Sequence, residues 1–440
     1  MTIAPSIPLP GLSRVAVLGA GGASGLAAVA QLLDKGARPD QIVGYEARST
    51  AGGVWNYDGD AGECQAIWSE DGTLLLKTEK EIYDAGRNGP TAVYDELRTN
   101  LPAECMTFRN APHPDGTPIF PTHRGIASYL QNYAKDRELL PLIQFSTLVR
   151  QVFHTSGNND NSKRWTVVAE REDENGQIIH DSQYFIVTNG HFNVPFIPSV
   201  PGLNTWRGKL LHSRWWRDAK SVRGRNIVVI GSHASGTDIA RDIALDDEAS
   251  QGSLRKIYQS AREKQKARPN EDQEEQTLYP NTKWKDHVEI VPVIEKVEGD
   301  KIYLKGGRIL EDVDTLLFAT GYLYSKSTPE ERALSAGPAN RPINLDVTDT
   351  FYAPDPTLSF IGLHRFVNPF PLFERSARLI AHCYTRGEIP SLPPLRRDSD
   401  IPGDLNIGHP QEFENQDDWL RAIGEVSANV DLPTADFIGR

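Results

Sequence analysis

Apolar residues are distributed along this chain in short continuous runs that alternate with longer stretches of helix-forming residues. Residues 14–18 read as a short buried strand, a glycine-rich turn follows, and residues 26–33 are strong helix formers. Gly36 is placed to end that helix, and residues 42–46 supply the next strand, which predicts a β-α-β unit. The pattern returns with a strand at 226–230, a turn at 231–236, a helix at 237–244 and a strand at 256–260. Two more strands, 184–190 and 316–321, run into glycine-containing turns and are predicted to bring the chain back to the edges of nucleotide sites. Residues 263–286 are polar and read as an exposed excursion, and 373–384 read as a helix that rejoins the first domain. No short repeat is present. The expected fold class is therefore α/β, with two Rossmann-like dinucleotide-binding domains of the three-layer sandwich type. The first is predicted over 1–215 and 326–440, and the second over 216–325.

At 440 residues the chain exceeds what one growing core accommodates, which agrees with two domains. A net charge of −12 without a long Lys/Arg run argues against a nucleic-acid partner. Cys64, Cys105 and Cys383 lie far apart and include no C-x-x-C pair, which argues against a disulfide framework and fits a reducing compartment, the cytoplasm. The first 13 residues lack a basic region followed by an apolar run, and no membrane anchor is expected. The 11 histidines form no spaced ligand set with Cys, Asp or Glu, so no metal site is expected.

Chemistry enters at the turns. Gly19, Gly21 and Gly25, between a strand and a helix, would let backbone N–H groups and the positive helix end approach a pyrophosphate. Their spacing is one residue longer than G-x-G-x-x-G, so either the turn bulges or Gly22 takes the middle role with Ala20 first. Glu46 lies 21 residues after Gly25, where a carboxylate accepts from ribose hydroxyls and repels a 2′-phosphate, which suits FAD or NAD. In the second turn, Gly231-Ser232-His233-Ala234-Ser235-Gly236, a histidine stands where the middle glycine would be. The strand after it ends Gln259-Ser260-Ala261-Arg262 without a carboxylate, leaving the Ser260 hydroxyl and Arg262 guanidinium for a 2′-phosphate and favouring NADPH.

Five further segments carry a resemblance. Gly52-Gly53-Val54-Trp55, Thr99-Asn100-Leu101-Pro102 with Glu104 and Met106, Trp206-x-Gly208-x-x-x-His212-x-x-x-Trp216, Ser235-Gly236-Thr237-Asp238-Ile239-Ala240 and Phe318-Ala319-Thr320-Gly321-Tyr322 span most of the chain. Together they resemble the flavin-containing monooxygenases, particularly the fungal and yeast-like members. The resemblance implies that Gly53, Val54 and Trp55 lie near FAD. It also implies that Thr99, Asn100 and Leu101 form the active-site segment, with Asn100 the catalytic residue touching both flavin and nicotinamide. Ser235, Gly236, Thr237 and Asp238 would open the NADPH helix, and Thr320 and Gly321 would border a cofactor.

By the same resemblance, NADPH reduces FAD and oxygen then forms a C4a-hydroperoxide that oxygenates a soft nitrogen or sulfur atom of a small molecule. A homodimer is expected on that basis as well. Trp replaces the leading Phe of the family fingerprint, and Arg217 follows Trp216 where Baeyer–Villiger relatives carry Pro or Asp, so oxygen insertion beside a ketone stays open as the alternative. Thr188-Asn189-Gly190 stands where A-T-G is expected, and His212 reads as a structural or domain-linking residue. A disulfide reductase of similar plan would need a redox cysteine pair, and a cofactor-sensing protein would bind NADPH without consuming oxygen. Residues 68–98 and 323–343 are expected to line the substrate pocket.

Overall fold

The computed structural model describes residues 6–68, 74–78, 90–156, 163–171, 176–222, 225–250, 256–262, 283–324, 342, 344–365, 367–397, 405, 407 and 411–425. The first buried strand in the chain is β1 (Val15–Leu18), buried along its whole length. Helix α1 (Ala23–Asp34) follows; it closes where the N–H of Ala37 reaches the Leu32 carbonyl at 3.0 Å, across Gly36 at a φ of +93°. Then come β2 (Ile42–Tyr45) and α2 (His123–Asp136), whose N-cap Thr122 accepts from the N–H of Gly125. Next are β3 (Ile143–Gln144), the antiparallel trio β4 (Thr147–Ser156), β5 (Lys163–Arg171) and β6 (Gln177–Ser182), and β7 (Tyr184–Val187). The middle of the chain gives β8 (Lys209–His212), β9 (Ile227–Ile230), α3 (Ala234–Ser250), β10 (Ile257–Ser260), β11 (Val288–Val291) and β12 (Thr315–Phe318). The last elements are β13 (Leu358–Phe360), α4 (Pro369–Arg386) and α5 (Gln411–Ala422).

These elements sort into two compact units. The described residues of the first fall within Met1–Asn56, Leu101–His191 and Tyr324–Ile438. Its central sheet runs in the order β13-β7-β1-β2-β3 with every pair parallel. Both faces of a parallel sheet must be covered, and β1 shows how. Val15 and Val17 pack with Leu26 and Val29 of α1 and Leu379 and Ile380 of α4. Ala16 and Leu18, on the other face, pack with Val149, Val152, Trp165 and Val167 of the antiparallel trio. The unit is thus a three-layer sandwich of helices, parallel sheet and antiparallel sheet. Each fully buried valine or leucine contributes about 1.5–3 kcal/mol.

The second unit comprises Tyr57–Asn100 and Phe192–Leu323 among the described residues. Its sheet, β8-β12-β9-β10-β11, is also parallel throughout. Ile239, Ala240 and Ile243 of α3 pack with Val228 and Leu316 of the sheet. The described residues of 57–100 and 192–215, expected in the first domain, contribute instead to the second unit. Residues 209–212 pair with β12 as an edge strand, and Leu74, Leu76 and Tyr94 enter the second core. Of the expected excursion and pocket-lining segments, 263–282, 69–73, 79–89, 325–341 and 343 lie outside the described residues.

Candidate functional site

In the first unit, the turn after β1 holds three glycines in contact with its surroundings. Gly19 has a φ of +79°, and a Cβ there would come within 2.8 Å of the Thr188 carbonyl and of the Asn189 Cα. That gives Thr188-Asn189 a defined place: it lies against the turn, with the Thr188 hydroxyl donating to the Leu18 carbonyl at 2.6 Å. A Cβ on Gly25 would sit 2.3 Å from the Gly19 carbonyl, and one on Gly21 would sit 2.8 Å from the Glu46 carboxylate. Gly22 caps α1 with extended backbone, and its nearest hypothetical Cβ contact is an ordinary 3.6 Å. The crowded positions are therefore Gly19, Gly21 and Gly25.

Glu46 is buried at the end of β2. Its Oε2 accepts from the N–H of Gly21 and its Oε1 from that of Arg48, each at 3.0 Å. Burial raises its pKa, against the pull of those two donors. A carboxylate has about four acceptor positions, so these backbone bonds leave capacity for ribose hydroxyls. The Gly52-Gly53 pair closes on the same turn: the N–H of Gly52 donates to the Gly21 carbonyl at 2.8 Å, and a Cβ on Gly53 would meet the Gly22 Cα at 2.8 Å. Val54 is half-buried beside them, and Trp55 packs on the first core, as does Leu101.

The second unit repeats the device. Gly231 has a φ of +121°, a Cβ on it would sit 2.4 Å from the Ala319 carbonyl, and a Cβ on Gly236 would sit 2.3 Å from the Gly231 carbonyl. His233 is not among the residues of positive φ, so its backbone tolerates a side chain. Ser235 and Thr237 lie in the first turn of α3, and Arg262, past the end of β10, is exposed.

Two expected cofactor contacts are directed elsewhere. The Ser260 hydroxyl is buried and gives its one hydrogen to the Pro292 carbonyl at 3.1 Å, because β10 packs that residue inward. Asp238 is buried in α3, accepting from the Tyr94 hydroxyl at 2.6 Å and from Arg241 Nη1 at 2.8 Å. It is a packing and ion-pair residue of the second unit. Thr99 is buried and Asn100 exposed, at the end of the segment that carries Tyr94.

His212 sits at the end of β8, fully buried. Its Nε2 lies 3.1 Å from the Gly321 carbonyl, and its Nδ1 accepts from the N–H of Arg214 at 3.1 Å. An Nε2–H donor with an Nδ1 acceptor is the neutral imidazole, and desolvation accordingly lowers its pKa to about 3. His212 thus fastens the turn after β12, which holds Thr320 and Gly321, to the edge of the same sheet. The residue that departs from the fingerprint, Arg217, is likewise consumed internally: it donates to the carbonyls of Asp58, Arg214, Trp216 and Thr91. The bonds to Gly321, Asp58 and Thr91 are not legible in the sequence because those carbonyls lie 109 to 159 residues away from their donors. Among the described residues no group of three or more His, Cys, Asp or Glu could hold a metal ion, and no helix is long and apolar enough to cross a membrane.

Comparison with known proteins gives this geometry its context. Residues 75–255 match the family described as flavin-binding monooxygenase-like. The flavin-containing monooxygenase FMO GS-OX-like 4 of Arabidopsis thaliana is 29% identical over 401 residues, covering 88% of this chain and 79% of the relative. The trimethylamine monooxygenase of Pelagibacter ubique is 27% identical over 440 residues, covering 97% of this chain and 87% of the relative. Over most of its length this chain is similar to flavin-containing monooxygenases. The fold agrees: the structure of S-allyl-L-cysteine S-oxygenase from Allium sativum superposes with a TM-score of 0.74 at 24% identity, covering 97% of this chain and 91% of that one.

The residues of the two turns fit FAD and NADPH. Two turns have had their side chains removed where backbone crowds backbone, which is what a pyrophosphate-binding turn requires. The turn with a carboxylate at the next strand end suits the ribose of FAD. The turn without one, followed by an exposed arginine, suits the 2′-phosphate of NADPH.

Proposed function

We propose that the protein uses NADPH and O2 to oxygenate a soft nitrogen or sulfur atom of a small molecule, with FAD held by the first unit and NADPH by the second. The supporting observation is the pairing of Gly19/Gly21/Gly25 with a buried Glu46 in one unit, against Gly231/Gly236 with an exposed Arg262 in the other. When bound, FAD would supply the redox chemistry, a hydride acceptor for NADPH and, in its reduced form, the means of activating oxygen. Per turnover, NADPH, O2, a proton and the substrate give NADP+, water and the oxygenated substrate.

The chain's own part is to bind and to position. The N–H groups at the start of α1, with Gly53 and Val54 beside them, hold the FAD pyrophosphate, and Glu46 accepts from its ribose. The start of α3, including Ser235, Gly236 and Thr237, holds the NADPH pyrophosphate. Arg262 takes the 2′-phosphate, while Thr320 and Gly321 border the nucleotide. Asn100, with Thr99 and Leu101 fixing the backbone on either side, is assigned to the reacting end of the cofactors as a fixed hydrogen-bonding group. No side-chain nucleophile is required, because amines and thioethers are themselves the nucleophiles.

A relative named for trimethylamine favours a heteroatom over a ketone as the oxygen acceptor. Arg217 adds to this, since its guanidinium is committed to backbone carbonyls and is not free to act on a ketone. Cys64, Cys105 and Cys383 lie far apart in the sequence with no C-x-x-C pair, which supports a cytoplasmic location, and the family resemblance supports a homodimer. The test is to supply trimethylamine, dimethyl sulfide or cyclohexanone with NADPH and O2, and to quantify N-oxide, sulfoxide, lactone and hydrogen peroxide. N-oxide or sulfoxide formed in proportion to NADPH consumed is expected. Lactone alone, or NADPH consumed only to peroxide, overturns the reading.

A further inference from the structure

Within the second unit, the segment that ends in Thr99-Asn100 is tied to the nucleotide-binding helix by a bond that the activity does not by itself require. The Tyr94 hydroxyl donates to Asp238 Oδ2 at 2.6 Å in a buried setting, and Asp238 Oδ1 accepts from Arg241 Nη1 at 2.8 Å. A hydrogen bond to a buried carboxylate is charge-assisted and directional, so it fixes the two backbones it joins. Arg241 also donates to Asp242 at 2.8 Å, so one guanidinium is shared by two carboxylates one helical turn apart.

The same segment is fastened at two more points. The N–H of Asp95 donates to the Arg217 carbonyl at 3.0 Å, and Arg217 Nη2 donates to the Thr91 carbonyl at 3.0 Å. The N–H of Leu97 turns back onto the Tyr94 carbonyl at 3.1 Å, which leaves Asn100 three residues beyond a closed turn. Asp238 lies two residues after Gly236, whose missing Cβ lets the turn close on Gly231. Whatever occupies that turn thus bears on the helix end to which Tyr94 is bonded.

We infer that the Tyr94–Asp238–Arg241 network is a positioning device that couples occupancy of the 231–236 turn to the placement of Asn100. Tyr94 and Asp238 are positioning residues, and the inference rests on the reading of that turn as the NADPH site and of Asn100 as an active-site residue. The coupling follows from the path: the phosphates order the first turns of α3, Asp238 moves with them, and the 94–100 segment follows through one short buried bond.

The test is amide hydrogen exchange on the purified full-length protein with and without NADP+, for the parent, Tyr94→Phe and Asp238→Asn. In the parent, NADP+ is expected to slow exchange both in 231–237 and in 94–101. In Tyr94→Phe the slowing in 231–237 should persist while that in 94–101 falls about tenfold. Asp238→Asn, which keeps an acceptor for the tyrosine, should restore part of it. Equal slowing of 94–101 in parent and Tyr94→Phe overturns the inference, as does faster exchange in that segment by the same factor with and without NADP+, the mark of a merely structural bond. Absence of slowing at 231–237 in the parent overturns instead the assignment of the nucleotide site.

In the FAD-loaded enzyme, Tyr94→Phe and Asn100→Ala should each raise peroxide released per NADPH, and the double variant should do no worse than Asn100→Ala alone. Additive effects would show that Tyr94 acts elsewhere. Normal coupling in Asn100→Ala would overturn the role given to Asn100. If Tyr94→Phe does not fold, Asp238→Asn carries the comparison, with intermediate slowing expected and parent-like slowing counting against the network.

Discussion

His212 is neutral because its two ring nitrogens are committed, one donating to Gly321 and one accepting from Arg214, in a place water does not reach. Its folded pKa, about 3, lies below the ordinary histidine value, so as pH falls the unfolded chain takes up the proton first. The stability it contributes is complete above about pH 6.5 and is lost as pH drops toward 3, by at most about 1.4 kcal/mol per unit. His191, buried and lowered to about 4, adds to the same slope. His212→Gln, which can still donate to Gly321, should unfold in urea with a visibly shallower loss of stability between pH 6.5 and 4 than the parent. An unchanged slope would remove His212 from this account. Arg262 makes a different prediction, since it is exposed and its loss leaves the fold untouched. Arg262→Ala should raise the KM for NADPH about tenfold in steady-state assays while leaving that for NADH near its starting value, one charge-assisted contact being lost.

At the scale of elements, α4 and α5 meet through Glu412, whose Oε2 accepts from the N–H of Asn368 at 2.8 Å, at the start of α4. Burial raises this carboxyl to about 8, so the native state holds its proton more tightly than the unfolded one. The sign is opposite to that of His212: this contribution is present below the ordinary glutamate range and fades as pH rises toward 8. Glu412→Gln keeps an acceptor for Asn368 and removes the titration, so it should raise the melting temperature at pH 8.5 and change it little at pH 5. A lower melting temperature at both would mean that the charge itself is needed. The contrast between these elements and the turns explains what the sequence made legible. Strand–turn–helix units such as 14–33 and 226–244 could be read because period, propensity and glycine spacing are local. The β4–β6 sheet, the inward turn of Ser260 and the capture of Asp238 by Tyr94 could not, because each depends on a partner 15 to 144 residues away.

For the whole molecule, two similar turns assigned to different nucleotides should fail independently. Gly25→Ala drives a Cβ to within 2.3 Å of the Gly19 carbonyl, and Gly236→Ala does the same to the Gly231 carbonyl. Purified Gly25→Ala should carry little flavin by absorbance, whereas Gly236→Ala should keep its flavin and show a raised KM for NADPH. Loss of flavin in both would mean that the two sites do not divide between the units as assigned. A bound nucleotide stabilises the state that binds it, so NADP+ should raise the melting temperature of Gly25→Ala and not that of Gly236→Ala.

The chain changes unit at 56/57, 100/101, 191/192 and 323/324. A ribosome delivering it from the N-terminus therefore releases β1, α1 and β2 long before β13 and α4 exist to cover them. The first sheet waits, lacking an edge strand and the helix against its face, until residues 358–386 have emerged. By then every strand of the second sheet has already left the exit tunnel. The unit begun first is finished last, and no single cut in the chain frees either unit whole.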